Sequence, residues 1–155
     1  MRYYDEISTG YYELYGKEQN KKLAIILNHF KPKKTDRLLD VGCGSGLSTR
    51  VWKCKTVGVD PSFKLLPKGQ YYINAEAEHL PFKDSSFDIV ISVTALHNFH
   101  DIRKGLQEIK RVGKKRFIFS ILKKTAKAEK IEKLIKEFFS VKKIIIEDKD
   151  IIYFI

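Results

Sequence analysis

The apolar positions of this 155-residue chain change period several times along its length. Leu23, Ile26, Leu27 and Phe30 recur at i, i+3, i+4 and i+7, which predicts an amphipathic helix over 18–31 that Pro32 ends. Short apolar, β-branched runs at 37–41, 56–59, 70–74, 87–93 and 116–122 predict strands, and the run at 87–93 is apolar enough to be buried on both faces. A short helix is expected at 47–52. Asp101 is placed to cap a helix whose Ile102, Leu106, Ile109 and Val112 face inward, with Gly113 where a C-terminal cap belongs. Ile131, Leu134, Ile135 and Phe138 mark one face of a helix over 125–139. The runs at 141–147 and 151–155 are joined by Asp148, Lys149 and Asp150, a connection too short for a parallel crossover, so this pair is antiparallel. The expected fold is a doubly wound α/β domain. Its seven-stranded sheet is mostly parallel, ends in an antiparallel hairpin, and has a ligand crevice at the carboxyl ends of its strands.

The length suits a single domain over 1–155 with a core large enough to need no disulfide or metal. Cys43 and Cys54 show no zinc spacing, the first ten residues do not resemble a signal peptide, and no apolar run approaches a membrane span of about 20 residues. A cytoplasmic protein with no metal and no membrane partner is expected. Charge changes the picture more. The 30 Lys and Arg outnumber the 19 Asp and Glu, giving +11. Residues 1–100 hold 14 basic and 11 acidic side chains, whereas residues 101–150 hold 16 and 8. A basic half attracts nucleic acid, an anionic cofactor or acidic lipid, although such lysines also commonly decorate solvated helix faces.

The most informative segment is Leu38-Leu39-Asp40-Val41-Gly42-Cys43-Gly44-Ser45-Gly46, a strand running into a turn with glycines at alternate positions. Glycine permits positive φ and lets a ligand meet bare backbone. The spacing is neither G-x-G-x-x-G nor a Walker loop, and Asp40 suits a ligand bearing a cation. Eighteen residues after Gly42 the second strand ends in Gly58-Val59-Asp60, where an acid can accept both hydroxyls of a ribose. Alone, Asp60 before Pro61 would also read as a helix cap.

These segments resemble the class I S-adenosylmethionine-dependent methyltransferases, closest to the quinone-biosynthesis-methylase-like, type 11 group. Two further stretches carry the resemblance. One is Ala75-Glu76-Ala77-Glu78-His79-Leu80-Pro81-Phe82 with Asp84-Ser85-Ser86-Phe87-Asp88-Ile89-Val90, and the other is Glu108-Ile109-Lys110-Arg111-Val112. The resemblance implies a Rossmann-like fold and S-adenosylmethionine as cofactor. It further implies that Gly42 and Gly44 meet the methionyl part, Asp40 sits near its ammonium, and Asp60 holds the ribose. Glu76 and the Ala77 amide would face the adenine. Leu80 and Phe82 also read as core packing, and Cys43 as a small apolar filler. Residues 1–17, rich in tyrosine, would form a lid, with Tyr11 touching the cofactor.

Methyl transfer from a sulfonium is an in-line displacement, so placing the acceptor matters most and a general base is optional. His97, in the segment leaving the fourth strand, is the expected base or orienting group, with His100 second; each also reads as a structural loop histidine. The stretches after Asp60 and after the fifth strand are short, leaving little substrate cover. The site is expected to be open, suiting RNA or a protein partner somewhat better than a small metabolite. The other function class is a non-catalytic cofactor-binding module that regulates a partner.

Overall fold

The computed structural model describes residues 9–69 and 71–155, with side chains from Gly16 onward. Helix α1 spans Thr9–His29. Strands β1 (Arg37–Val41), β2 (Lys55–Asp60), β3 (Tyr72–Asn74) and β4 (Phe87–Val93) follow. A 3-10 turn (Leu96–Asn98) leads to α2 (Ile102–Val112), β5 (Gly113–Leu122), α3 (Ala128–Phe138), β6 (Lys143–Ile146) and β7 (Asp150–Phe154). The seven strands form one sheet of order β3-β2-β1-β4-β5-β7-β6. Strands β1 to β5 pair in parallel, and β7 is antiparallel to both β5 and β6.

Alternation along each strand sorts its side chains between two cores. Leu39, Val90 and Phe119 point to the face covered by α2 and α3, where Leu106, Ile109, Ile131 and Ile135 meet them. Leu38, Ile89, Ile91 and Ile118 point to the opposite face, under Leu23 and Ile26 of α1. Helices therefore cover both faces of the sheet, as the chain's patterning predicts.

Three expectations change. Helix α1 starts well before residue 18, so residues 9–17 of the expected lid are its first turns; residues 1–8 and the Tyr11 side chain lie outside what is described. Residues 47–51 are a run of turns, not a helix. The Thr49 and Arg50 amides both donate to the Gly46 carbonyl, while the Ser48 and Thr49 hydroxyls donate to Asp40. Such side-chain bonding competes with regular helix. Gly113 is extended (φ −93°), not left-handed, and opens β5 directly after α2. It is needed for room: a Cβ there would lie 2.4 Å from the Phe117 ring and 2.8 Å from Val90.

Helix α2 is fixed at both ends. Asp101 caps it, accepting from the Lys104 amide at 3.0 Å. Near its C-terminus Glu108 accepts from the Leu80 amide, and Arg111 donates to Glu108, Asp84 and the carbonyls of Leu80 and Phe82. The Glu108–Arg111 pair thus staples the Leu-Pro-Phe turn to the helix. Leu80 and Phe82 pack into the core, Phe82 edge-on to Phe87 at 4.9 Å.

Gly105 in α2 faces the Phe99 ring, and a Cβ there would sit 2.4 Å from it. Helix propensity alone favours Gly105→Ala by about 1 kcal/mol. Overpacking against the ring costs about 1–3 kcal/mol and should win. Urea denaturation is expected to show a lower midpoint for Gly105→Ala; a raised midpoint would mean that Phe99 yields freely.

Candidate cofactor cleft

The carboxyl ends of β1, β2 and β4 border a cleft, at the place where open α/β sheets bind their ligands. Its floor is the glycine loop. The Gly42 and Cys43 amides both donate to the Val59 carbonyl, at 2.8 and 3.0 Å, turning the chain across the tip of β2. Gly42 has φ +79°, and a Cβ there would lie 2.4 Å from the Ala95 methyl. Gly44 has φ +54°, but a Cβ there would meet nothing within 4 Å. Bare backbone therefore faces open space inside the cleft.

Gly42, Gly44, Asp60, Glu76 and Ala77 all line this cleft, so the structure gathers five of the sequence-predicted residues. Asp60 Oδ2 accepts from the Gly44 amide at 2.9 Å, and Oδ1 accepts from the Ser62 amide at 2.8 Å. The carboxylate fastens the glycine loop to the chain leaving β2. Glu76 is exposed at the rim and Ala77 is buried. Glu78, Asn98 and Phe99 also line the cleft and were not singled out in the sequence. Glu78 accepts from the Asp101 amide at 3.0 Å, joining this wall to the start of α2. Its acid-Ala-acid setting was visible; nothing local marked Asn98 or Phe99.

Asp40 lies beneath the cleft and does not line it. It is fully buried. Its Oδ2 accepts from Ser48 at 2.5 Å and Thr49 at 2.9 Å, while Oδ1 has no hydrogen-bond partner among the described residues. Burial pushes its pKa up to about 6, with the Asp60 charge adding and the two hydroxyls opposing. Cys43 is also buried, which raises its thiol pKa, so it is no thiolate nucleophile. Gly58 leaves room for its sulfur, which a Cβ would approach to 2.7 Å.

Thr94, at the end of β4, lines the cleft with φ +54°, a strained setting for a β-branched residue. Partners hold it on several sides. Its amide donates to the Ser120 carbonyl at 3.0 Å, and its hydroxyl accepts from Lys22 of α1. Lys22 is 4% exposed, donates to Gln19 at 2.9 Å and pairs with Asp150 of β7 at 2.9 Å. Burial lowers the Lys22 pKa against the pull of Asp150. Sequence reading missed this lysine because its partners lie 72 and 128 residues away.

Of the two histidines, His100 lines the cleft and His97 does not. The His97 ring is half-buried, and its Nδ1 has no hydrogen-bond partner among the described residues. Burial, then the charges of Lys127 and Lys22, hold its pKa below the ordinary imidazole value. Both causes favour the neutral imidazole over the cation. Among the described residues no cluster of three His, Cys, Asp or Glu could hold a metal ion, and no helix is long and apolar enough to cross a membrane.

Strand order, the β7 insertion and the glycine loop at β1 together define the class I S-adenosylmethionine-dependent methyltransferase architecture. Residues 39–121 match the methyltransferase-domain family of type 11, and the chain belongs to it. It is 34% identical over 125 residues to the uncharacterized protein MJ1252 of Methanocaldococcus jannaschii, covering 76% of this chain and 48% of the relative. It is 31% identical over 134 residues to a demethylmenaquinone methyltransferase of Thermotoga maritima, covering 75% and 57%. The crystal structure of PH0226 from Pyrococcus horikoshii OT3 superposes with a TM-score of 0.76 over 99% of this chain and 97% of that one; at 18% identity the likeness is one of fold. The chain spans about half the length of the curated relatives it matches. S-adenosylmethionine is the cofactor of the family. The cleft fits it in kind, with bare backbone at Gly44 and carboxylates at Asp60 and Glu76.

Asp40 gives a pH signature. Its folded pKa of about 6 exceeds the ordinary 3.8, so the folded state holds this proton more tightly than the unfolded chain. Stability falls as pH rises through about 4 to 6, by on the order of 3 kcal/mol. Asp40→Asn removes this dependence. Urea unfolding is expected to show the variant gaining on wild type by that order between pH 4 and pH 7. A difference independent of pH would contradict the assignment.

Proposed function

We propose that this domain binds S-adenosylmethionine in the cleft at the carboxyl edge of the sheet and catalyses methyl transfer to an acceptor. The acceptor is RNA or protein in preference to a small metabolite. The observation that carries the cofactor reading is the open backbone of Gly44 inside a cleft bounded by the Asp60 and Glu76 carboxylates. When bound, the cofactor supplies a methyl group on a sulfonium, already activated for displacement.

The chain's own residues bind, orient and shield. Gly42 and Gly44 bring backbone against the methionyl portion. Asp60 accepts from the ribose hydroxyls, re-sharing a carboxylate that otherwise takes the Gly44 and Ser62 amides. Glu76 and the Ala77 amide select adenine at the rim. Asp40 Oδ1, which has no hydrogen-bond partner among the described residues, supplies negative charge beneath the loop, suited to an ammonium above it. Tyr11 belongs to the first turns of α1, and contact of its ring with the cofactor is part of this proposal. His97 and His100 are the candidates to orient the acceptor or take its proton. Burial and the nearby lysines favour the neutral form of His97, and His100 stands on the cleft wall.

Support for a large acceptor comes from the lack of cover. Among the described residues only a 3-10 turn follows β4 and a short run of turns follows β5. The likeness to a demethylmenaquinone methyltransferase favours a second reading, a small quinone-like acceptor.

Calorimetry tests the cofactor half. Wild type is expected to bind S-adenosylmethionine, more tightly at pH 7 than at pH 5 because a cation nearby favours the Asp40 carboxylate. Asp60→Ala should weaken binding by at least about tenfold, or 1.4 kcal/mol. No heat from wild type at high cofactor concentration would sink the proposal. Methyl-labelled cofactor incubated with fractionated cell extract tests the acceptor half: label in RNA or protein is expected. Label confined to small molecules would favour the quinone-like reading, and binding without transfer would favour a non-catalytic module.

A further inference from the structure

The groove between α2 and α3 opens beside the cofactor cleft and shares Phe99 and His100 with it. Its charged lining is Asp101, Arg103, Lys127, Lys130, Lys133 and Glu137. The acids are already engaged. Arg103 holds Glu137 through two bonds, at 2.7 and 3.0 Å, and Asp101 caps α2. The other bonded glutamate of α3, Glu132, is taken by Lys136 and Tyr153 and does not line the groove. Lys130 and Lys133 form no salt bridge among the described residues, although Lys133 acts through space on Glu137 and the exposed Glu129 shares their helix; Lys127 spends one donor on the neutral His97 carbonyl. All three lysines are exposed. At steps of three residues they form one row, roughly 9 Å long at 1.5 Å per residue.

We propose that this row is a track for the backbone phosphates of an RNA acceptor, leading its methylated nucleotide to the cleft mouth at Phe99 and His100. The inference rests on the macromolecular-acceptor reading above and names its class. RNA is favoured over an acidic protein because the groove offers charge without an anchor. Its apolar members Phe99, Ile102 and Leu134 are buried, and the large exposed apolar side chains among the described residues, Phe63, Tyr71, Ile144 and Ile146, lie elsewhere. Protein interfaces take most of their energy from buried aromatic and aliphatic anchors, whereas phosphate binding is driven by counterion release. The groove also lacks an exposed aromatic for base stacking, so its recognition is independent of sequence.

Fluorescence anisotropy with a labelled single-stranded RNA of mixed sequence tests this between 50 and 200 mM salt. The charge-reversed pair Lys130→Glu/Lys133→Glu is compared with Lys53→Glu/Lys55→Glu, which makes the same charge change at the opposite, amino end of β2. The groove variant should lose at least about tenfold in affinity, and its log–log salt slope should fall by about 1.4, or 0.7 for each phosphate contact. The Lys53/Lys55 variant should change either quantity little. Calorimetry with S-adenosylmethionine should be unchanged in both variants. Equal losses in the two variants would reduce the effect to net charge and overturn the proposal. Absent RNA binding, or binding only to an acidic protein, would overturn it while leaving methyl transfer intact. Groove-dependent RNA binding without any cofactor binding would support the track and remove the methyl-transfer reading instead.

Discussion

The cofactor edge of this domain depends on how closely the glycine loop lies between the tips of β2 and β4. Gly42 approaches Ala95 so tightly that a Cβ would sit 2.4 Å from its methyl, and Gly58 leaves room for the Cys43 sulfur. Two amides then reach the Val59 carbonyl, and the Asp60 carboxylate catches the Gly44 amide. Side chains larger than hydrogen at these points would lift the loop off the sheet. Only because the loop lies low does Gly44 present backbone to open space, and only then do Asp60, Glu76 and Ala77 face one volume.

Beside this close packing the same edge carries polar burial and strain that stability alone would not select. Asp40 is buried with one oxygen lacking a partner among the described residues, Lys22 of α1 is buried, and Thr94 holds a left-handed conformation. Buried charges cost several kcal/mol unless well paired, and strained backbone persists only where its surroundings enforce it. Here the surroundings are long-range. Lys22 ties α1 to the end of β4 and to β7, so elements far apart in the chain meet at the cleft wall.

Much of this was legible in the chain. The β-branched runs and the tight Asp148–Asp150 connection give the mostly parallel sheet and its antiparallel end. Asp40, Gly42, Gly44 and Asp60 are marked by their spacing around the glycine turn and the second strand's end, whereas Glu76 was marked only by the family resemblance. What the sequence hid was non-local. Periodicity placed the start of α1 too late, since Gly10, Gly16 and the tyrosines interrupt the apolar stripe. Ser48 and Thr49 looked compatible with a helix until Asp40 proved to need their hydroxyls. Gly113 looked like a left-handed cap, but its requirement is space beside Phe117 and Val90. His97 and His100 were indistinguishable in orientation from a loop sequence alone. The structure puts His100 on the cleft wall and leaves His97 in a cationic, partly buried setting.

Charge follows the same division between local and non-local. The excess of lysine in the later third was plain, but not which lysines were neutralised. The Arg103–Glu137 and Lys136–Glu132 pairs separate these bonded charges from the lysine row beside the cleft, which forms no salt bridge among the described residues. The central claim remains that the glycine loop and the two acid-bearing strand ends form one cofactor site. Titrating the ¹⁵N-labelled protein with S-adenosylhomocysteine, the demethylated cofactor, tests it residue by residue. Saturable shifts are expected to centre on the amides of Gly42, Gly44, Asp60 and Ala77, with those of Lys130 and Lys133 still. Saturation that leaves the Gly44 and Ala77 amides unmoved would contradict it.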